Sequence, residues 1–289
     1  MTRRILIRNG AVLLGVVIAV YGAAIVYLRV TESSLVFVRE GGLATLATPA
    51  DSLHLPYRTV VIPTEDSVRL GAWIIPAVHA DSNGMWVLLC HGQTGNVATT
   101  TRPEYYADLR TTGVNTLAFD WRGFGTSTGT PSEAGLYRDA TAAYRYLRDS
   151  LQVPADRIII FGHSLGTAPA IELATRVPAA GLIVEGAPSS VRERGAELYP
   201  WLPVRYVARI EFNSLSRIAS VHMPILFMHV GPDERIPIVH GRRLYDAATS
   251  AKRFVVLGGT HSDAFKRDSA TYFGAYRKFV MEVALLRYR

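Results

Sequence analysis

The pentapeptide Gly162-His163-Ser164-Leu165-Gly166 constrains this chain more than any other stretch. It follows the apolar run Ile158-Ile159-Ile160-Phe161 and opens a helix-like stretch from Thr167 to Arg176. A strand, a sharp turn and a helix in that order hold a serine proud of a sheet. The helix N-terminus beneath it turns backbone amides toward developing negative charge. Small residues flank the serine because so tight a turn leaves no room for side chains. Ser164 is therefore the candidate nucleophile. An ordinary glycine-rich strand-to-helix turn is the alternative.

From Arg58 onward, strand-like and helix-like segments alternate. Arg58–Ile62 and Leu70–Ile75, with Pro63 and Glu65-Asp66-Ser67 between them, read as an antiparallel opening pair. Further short apolar runs follow at Trp86–Cys90, Val114–Phe119, Ile158–Phe161, Leu182–Val184, Ile225–His229 and Phe254–Leu257. Such runs suit strands buried on both faces. Helix candidates lie near Arg102–Thr111, Glu133–Ser150, Leu165–Arg176, Val239–Thr249 and Ala264–Arg287. The alternation predicts an α/β fold: a mostly parallel eight-stranded sheet flanked by helices, with right-handed crossovers. Cys90, the single cysteine, sits in a strand candidate, so no intramolecular disulfide can form and a buried thiol is expected.

A serine hydroxyl attacks only when a base takes its proton. With this kind of elbow the partners follow in the order serine, acid, histidine. His261 lies in the glycine-rich stretch Gly258-Gly259-Thr260-His261, between the last strand and the last helix. An imidazole there can reach across the top of the sheet. His222 precedes a strand, His229 lies within one and His240 starts a helix, so all three are worse placed. Asp233 follows the strand ending at His229 and is the expected acid. Glu234 is a slip of one residue, Glu185 a more distant alternative, and Asp263 too close to His261 in the chain. For the oxyanion hole the expected donors are the amides of Leu165 and of Gln93, the latter in the loop after Trp86–Cys90, with Thr94 as second choice.

The other end of the chain carries a membrane signal. Ala11 to Leu28 is an uncharged run of 18 residues, close to the length that crosses a hydrocarbon core. Arg3, Arg4 and Arg8 precede it and Arg29 follows, which favours a cytoplasmic N-terminus and an extracytoplasmic domain. Tyr27 is placed for the interface. A cleaved signal peptide with Gly22-Ala23-Ala24 at its end is the rival, but the apolar run continues past that point. Hence the expected organisation is a basic tail (1–10), a single-pass transmembrane signal anchor (11–28), a connector (29–57) and one catalytic domain (58–289). Gly41-Gly42, Pro49, Ala50-Asp51-Ser52 and Pro56 mark the connector, within which Leu35-Val36-Phe37-Val38 packs on the domain or on the membrane.

The net charge is +7, of which the three N-terminal arginines supply nearly half. The rest is scattered, so nucleic acid is not an expected partner; anionic lipid headgroups suit the charge better. Gly123-Phe124-Gly125 has neither the spacing nor the lysine of a phosphate loop. No two histidines stand at H-E-x-x-H spacing, and neither a metal nor another cofactor is expected.

These residues resemble the α/β-hydrolase superfamily over about Arg58–Arg289. They look most like its membrane-anchored Bem46-like members of the ABHD12, ABHD13 and ABHD17 type. The echoes are His91-Gly92 with Gly95-Asn96, Asp120-Trp121-Arg122-Gly123-Phe124-Gly125-Thr126-Ser127, Pro131-Ser132-Glu133 with Gly135-Leu136-Tyr137 and Asp139, the Ser164 elbow, and Asn213-Ser214-Leu215. The resemblance implies a catalytic triad of Ser164, Asp233 and His261, a structural role for Arg122–Gly125, and hydrolysis of a carboxylic ester or thioester, of a small-molecule or lipid-like acyl substrate, through an acyl-enzyme. Amide hydrolysis of the serine aminopeptidase kind shares the fold. A non-catalytic membrane scaffold with a vestigial site is the reading of another class. Ala187–Met223, where the superfamily often inserts a lid, is apolar and aromatic. It reads as a small cap over an acyl pocket, as a surface that touches the membrane, or as a structural helix pair.

Overall fold

Eight strands pair into one sheet: β1 (Arg58–Pro63), β2 (Arg69–Ile75), β3 (Trp86–Cys90), β4 (Asn115–Phe119), β5 (Ile158–His163), β6 (Gly181–Glu185), β7 (Ile225–Val230) and β8 (Lys252–Leu257). Their spatial order is β1-β2-β4-β3-β5-β6-β7-β8. β2 runs antiparallel to β1 and β4, and all later neighbours are parallel. The computed structural model describes residues 2–39, 53–78, 84–99 and 101–285, without the side chains of 2–6. Gly41-Gly42, Pro49 and Ala50-Asp51-Ser52 of the expected connector, the side chains of Arg3 and Arg4, and residues 286 and 287 of the expected last helix lie outside that description.

The helices are α1 (Thr2–Val36), α2 (Arg102–Arg110), α3 (Glu133–Arg145), α4 (Thr167–Ala174), α5 (Val191–Leu198), α6 (Val204–Val207), α7 (Ile238–Ala247), α8 (Ala264–Arg267) and α9 (Ser269–Leu285). Along β3, Leu88 and Cys90 join the core under α3, α4 and α7, whereas Val87 and Leu89 join the core under α2 and α9. Both faces of the parallel strands are thus covered, which is why these strands read as unbroken apolar runs. Cys90 is buried, and burial pushes its thiol far above the usual range. Register then levels the strand ends: Cys90 pairs with Gly162, and His163 with Glu185. The loops after β3, β5 and β6 therefore meet at one edge, where open α/β sheets bind ligands.

Three helix limits differ from the sequence pattern. The stretch 133–150 widens into a π-turn over Tyr146–Ser150. The last helix breaks at Asp268, whose carboxylate accepts the Gly258 amide at 2.9 Å instead of lying on a helix face. The apolar helix α1 runs on through Val36, so residues 29–36 of the expected connector are helix. Its far end is gripped by the domain. Glu32 accepts the amides of Arg209 and Ile210 at 2.7 and 2.8 Å. Leu28 packs with Leu202 and Val204. Phe37, 3% exposed, sits edge-on to Phe212 with centroids 6.1 Å apart. Phe37 and Val36 therefore pack on the domain. The helix pair α5 and α6 forms a short cap beside α1.

Candidate active site

Ser164 follows β5 at a turn where it takes φ +52°, a left-handed conformation that a serine adopts only under constraint. The flanking glycines explain how the turn is made. A Cβ at Gly166 would fall on the carbonyl oxygens of Cys90 and His91, and one at Gly162 on the backbone of Thr167. The Thr167 hydroxyl donates to the Ser164 carbonyl at 2.6 Å and pins the start of α4.

His261 reaches this serine from the loop between β8 and α8. Its Nε2 stands 2.8 Å from Ser164 Oγ, and its Nδ1 stands 2.7 Å from Asp233 Oδ2. All three residues are buried. Asp233 itself is oriented by its own loop: Oδ1 accepts the amides of Arg235 and Ile236 at 2.9 and 2.8 Å. Burial works to raise this carboxyl, but the hydrogen bond and charge of His261 outweigh it, aided by those amides, and hold it below the usual range.

The backbone of His261 is held as well. His163 Nε2 donates to its carbonyl at 3.2 Å, and its amide donates to Glu234 at 3.4 Å. His163 is kept neutral: burial, then the nearby His261, pull it down to about 3. Gly186, at φ +59°, backs onto the His261 ring, where a Cβ would stand 3.0 Å from Cε1. Neither His163 nor Gly186 carried a sequence signal for this role. His163 was visible only as the variable position of the elbow.

The competing residues are occupied elsewhere. His229 Nε2 donates to the Ile236 carbonyl at 2.9 Å and so buttresses the Asp233 loop. His240 lies between Ser189 Oγ and Glu197, at 2.8 and 2.9 Å. His222 is exposed. Asp263 accepts the Thr260 amide and pairs with Arg267. Glu185 accepts the Tyr272 hydroxyl at 2.7 Å, and burial raises its carboxyl to about 7. Glu234 holds the His261 backbone rather than its ring.

Two cavities meet at Ser164. The smaller, about 130 Å³, has Tyr105, Glu185 and Tyr272 in its wall. The larger, about 410 Å³, is lined by Gln93 and Leu165 and by residues of α1 and the cap. Gln93 and Leu165 thus both face the space before Ser164. The Gln93 carbonyl accepts the Val38 amide at 3.1 Å, and the Thr94 carbonyl accepts Arg102 at 2.5 Å, so this loop is tied down on both sides. Behind it, Trp121 Nε1 donates to the His91 carbonyl at 2.9 Å. Arg122 is buried and bridges Asp139 and Asp66, each at 2.8 Å, away from the cavity walls.

The model of the alpha/beta hydrolase family matches residues 87–282. This chain belongs to that family. An uncharacterised Mycobacterium tuberculosis protein is 37% identical over 273 residues, which is 94% of this chain and 95% of that protein. The lysophosphatidylserine lipase ABHD12 of Danio rerio is 28% identical over 256 residues, 75% of this chain and 65% of the lipase. The solved Pyrococcus furiosus esterase superposes with a TM-score of 0.67 at 22% identity, covering 81% of this chain and 93% of the esterase. This α/β hydrolase therefore stands with the ABHD12-type members that its motifs resemble, on the eight-stranded fold its patterning predicts. Its apolar N-terminal helix is long and apolar enough to cross a membrane.

Proposed function

We propose that this α/β hydrolase is a membrane-anchored serine hydrolase that cleaves carboxylic esters or thioesters. The observation that carries the reading is the hydrogen-bonded run from Ser164 Oγ through His261 to Asp233, on a strained elbow. His261 Nε2 takes the Ser164 proton as Oγ attacks the acyl carbon. Asp233 holds Nδ1–H and stabilises the imidazolium. The amides of Leu165 and Gln93 receive the oxyanion. His261 then returns the proton to the departing alcohol or thiol, leaving an acyl-Ser164. In deacylation His261 takes a proton from water as the water oxygen attacks the acyl carbon, then gives it to Ser164 Oγ as the acyl–Oγ bond breaks and the carboxylic acid leaves.

The similar proteins, a lysophosphatidylserine lipase and an esterase, agree with a lipid-like ester as substrate. In this reading α1 crosses the bilayer with the basic tail on the cytoplasmic side. Residues 58–289 then lie outside as one domain, joined through the connector.

The test is labelling of the full chain in detergent with a fluorophosphonate, beside Ser164→Ala, with the adduct mapped by mass spectrometry. A single adduct on Ser164, absent from the variant, is expected. A folded protein that takes no label refutes an activated serine and favours the scaffold reading.

A further inference from the structure

The larger cavity at Ser164 is built in part from the anchor helix. Leu28, Leu35 and Val36 of α1 form one wall, and Leu198, Val204 and Ile210 form the other. Ser164 and Gln93 lie where the two walls meet the sheet edge. At about 410 Å³ it falls among small-molecule sites, roughly 300–1,000 Å³. The second cavity, about 130 Å³ with Glu185 and Tyr272 in its wall, has less than a third of that volume. The larger cavity is therefore the one roomy enough for an acyl chain, with Glu32, Arg192 and Arg194 set among its apolar walls.

Contacts along α1 fix how deep the cap sits. Arg8 and Arg29 bracket a stretch of about 20 uncharged residues, the length that crosses a hydrocarbon core. Arg29 donates to the Val207 carbonyl, and the Tyr21 hydroxyl donates to the Trp201 carbonyl at 3.1 Å. Tyr21 lies about 12 Å from Arg29 toward the membrane centre, at 1.5 Å per helical residue. The polar layer beside the hydrocarbon is only about 5–8 Å thick. With Arg29 among the headgroups, the cap turn at Trp201 reaches into the leaflet. Its surface suits that place: Trp201 is 61% exposed, Leu198 55% and Tyr206 89%. The charged neighbours Arg205 and Glu193 are paired at 2.7 Å.

We infer that the cleft between α1 and the cap opens sideways into the leaflet and holds the acyl chain of a single-chain amphiphile drawn from the bilayer. The anchor is then a wall of the substrate site as well as a tether. This rests on the proposed role of Ser164 as nucleophile.

The test uses the full chain in phosphatidylcholine vesicles. For Leu35→Trp and Leu198→Trp, one from each wall, kcat/KM is measured for p-nitrophenyl dodecanoate and p-nitrophenyl acetate. Both variants are expected to lower the dodecanoate-to-acetate ratio by about tenfold or more, the worth of excluding two methylenes. An unchanged ratio in both overturns the inference. Independently of turnover, Ser164→Ala protein is irradiated with a diazirine-bearing fatty acid. Crosslinks on residues 28–36 and 191–198 that disappear in the Leu35→Trp background support the cleft. Crosslinks that persist there, or their absence from 191–198, count against it. Loss of fluorophosphonate labelling in the parent protein would sink the hydrolase reading while leaving this crosslinking result to stand or fall alone.

Discussion

The Val38 amide donates to the Gln93 carbonyl across 3.1 Å and so ties the segment after the apolar helix to the loop facing Ser164. An isolated parallel bridge from Val38 to Thr94 continues the contact. The position of the Gln93 amide thus depends on a residue outside the sheet, at the base of the helix read here as an anchor.

Val38→Pro removes that donor. One neutral hydrogen bond is worth about 1 kcal/mol net, so a loosened oxyanion loop is expected to lower kcat about fivefold with little change in KM. Val38→Ala keeps the amide and is expected to behave as the parent. Steady-state kinetics on a short-chain ester separates the two. Equal losses in both variants would assign the effect to packing of the Val38 side chain instead.

Asp233→Asn tests the acid. Asn leaves the shape but offers the wrong partner to Nδ1–H of His261, and kcat is expected to fall by about 10³–10⁴. Glu234→Gln touches only the His261 amide, at 3.4 Å, and is expected to cost less than about tenfold. The reverse ranking would move the acid by one residue.

Much of this fold was legible because parallel strands between two helical layers are written as unbroken apolar runs, while β1 and β2 showed as a β-rich pair around a turn. The geometry at Ser164 was legible in part, since Gly162 and Gly166 have backbone against the places their side chains would occupy. What stayed hidden depends on partners far away in the chain. Nothing local says that Glu32 meets residues 209 and 210, that Asp268 breaks the last helix for the Gly258 amide, or that Val38 meets Gln93. The Glu32 contact also holds the helix against the domain past Leu28, where the uncharged run ends.

Arg122 gives a stability prediction free of catalysis. Its guanidinium is buried between Asp139 and Asp66, with Nε also on Asp139 at 2.9 Å. Arg122→Met strands the fully buried Asp139 carboxylate without its partner. The expected cost is about 3–5 kcal/mol of unfolding free energy, read by denaturant titration of the full chain in mild detergent. Arg122→Lys keeps the charge but not the forked geometry, and falls between. A loss under about 1 kcal/mol for the Met variant would mean that water reaches Asp139 and that the pair is not a structural post of the loop.

Glu185 predicts how stability depends on pH. Burial raises its carboxyl from 4.5 to about 7, with the Tyr272 hydroxyl opposing and the charge of Asp233 adding. In the unfolded chain the group ionises near 4.5, so between that pH and about 7 the folded protein holds a proton that the unfolded one has lost. Unfolding free energy therefore falls as pH rises through this window and levels above it, by about 3 kcal/mol in all for this group. Glu185→Gln keeps an acceptor for Tyr272 and has no charge to bury. The variant is expected to match the parent near pH 4 and to exceed it progressively up to pH 7. Asp120, which burial also raises to about 7, titrates in both proteins and cancels in the difference. Parallel stability curves for parent and variant across pH 4–8 would mean that Glu185 is ionised in the fold, with solvent reaching the smaller cavity beside His261.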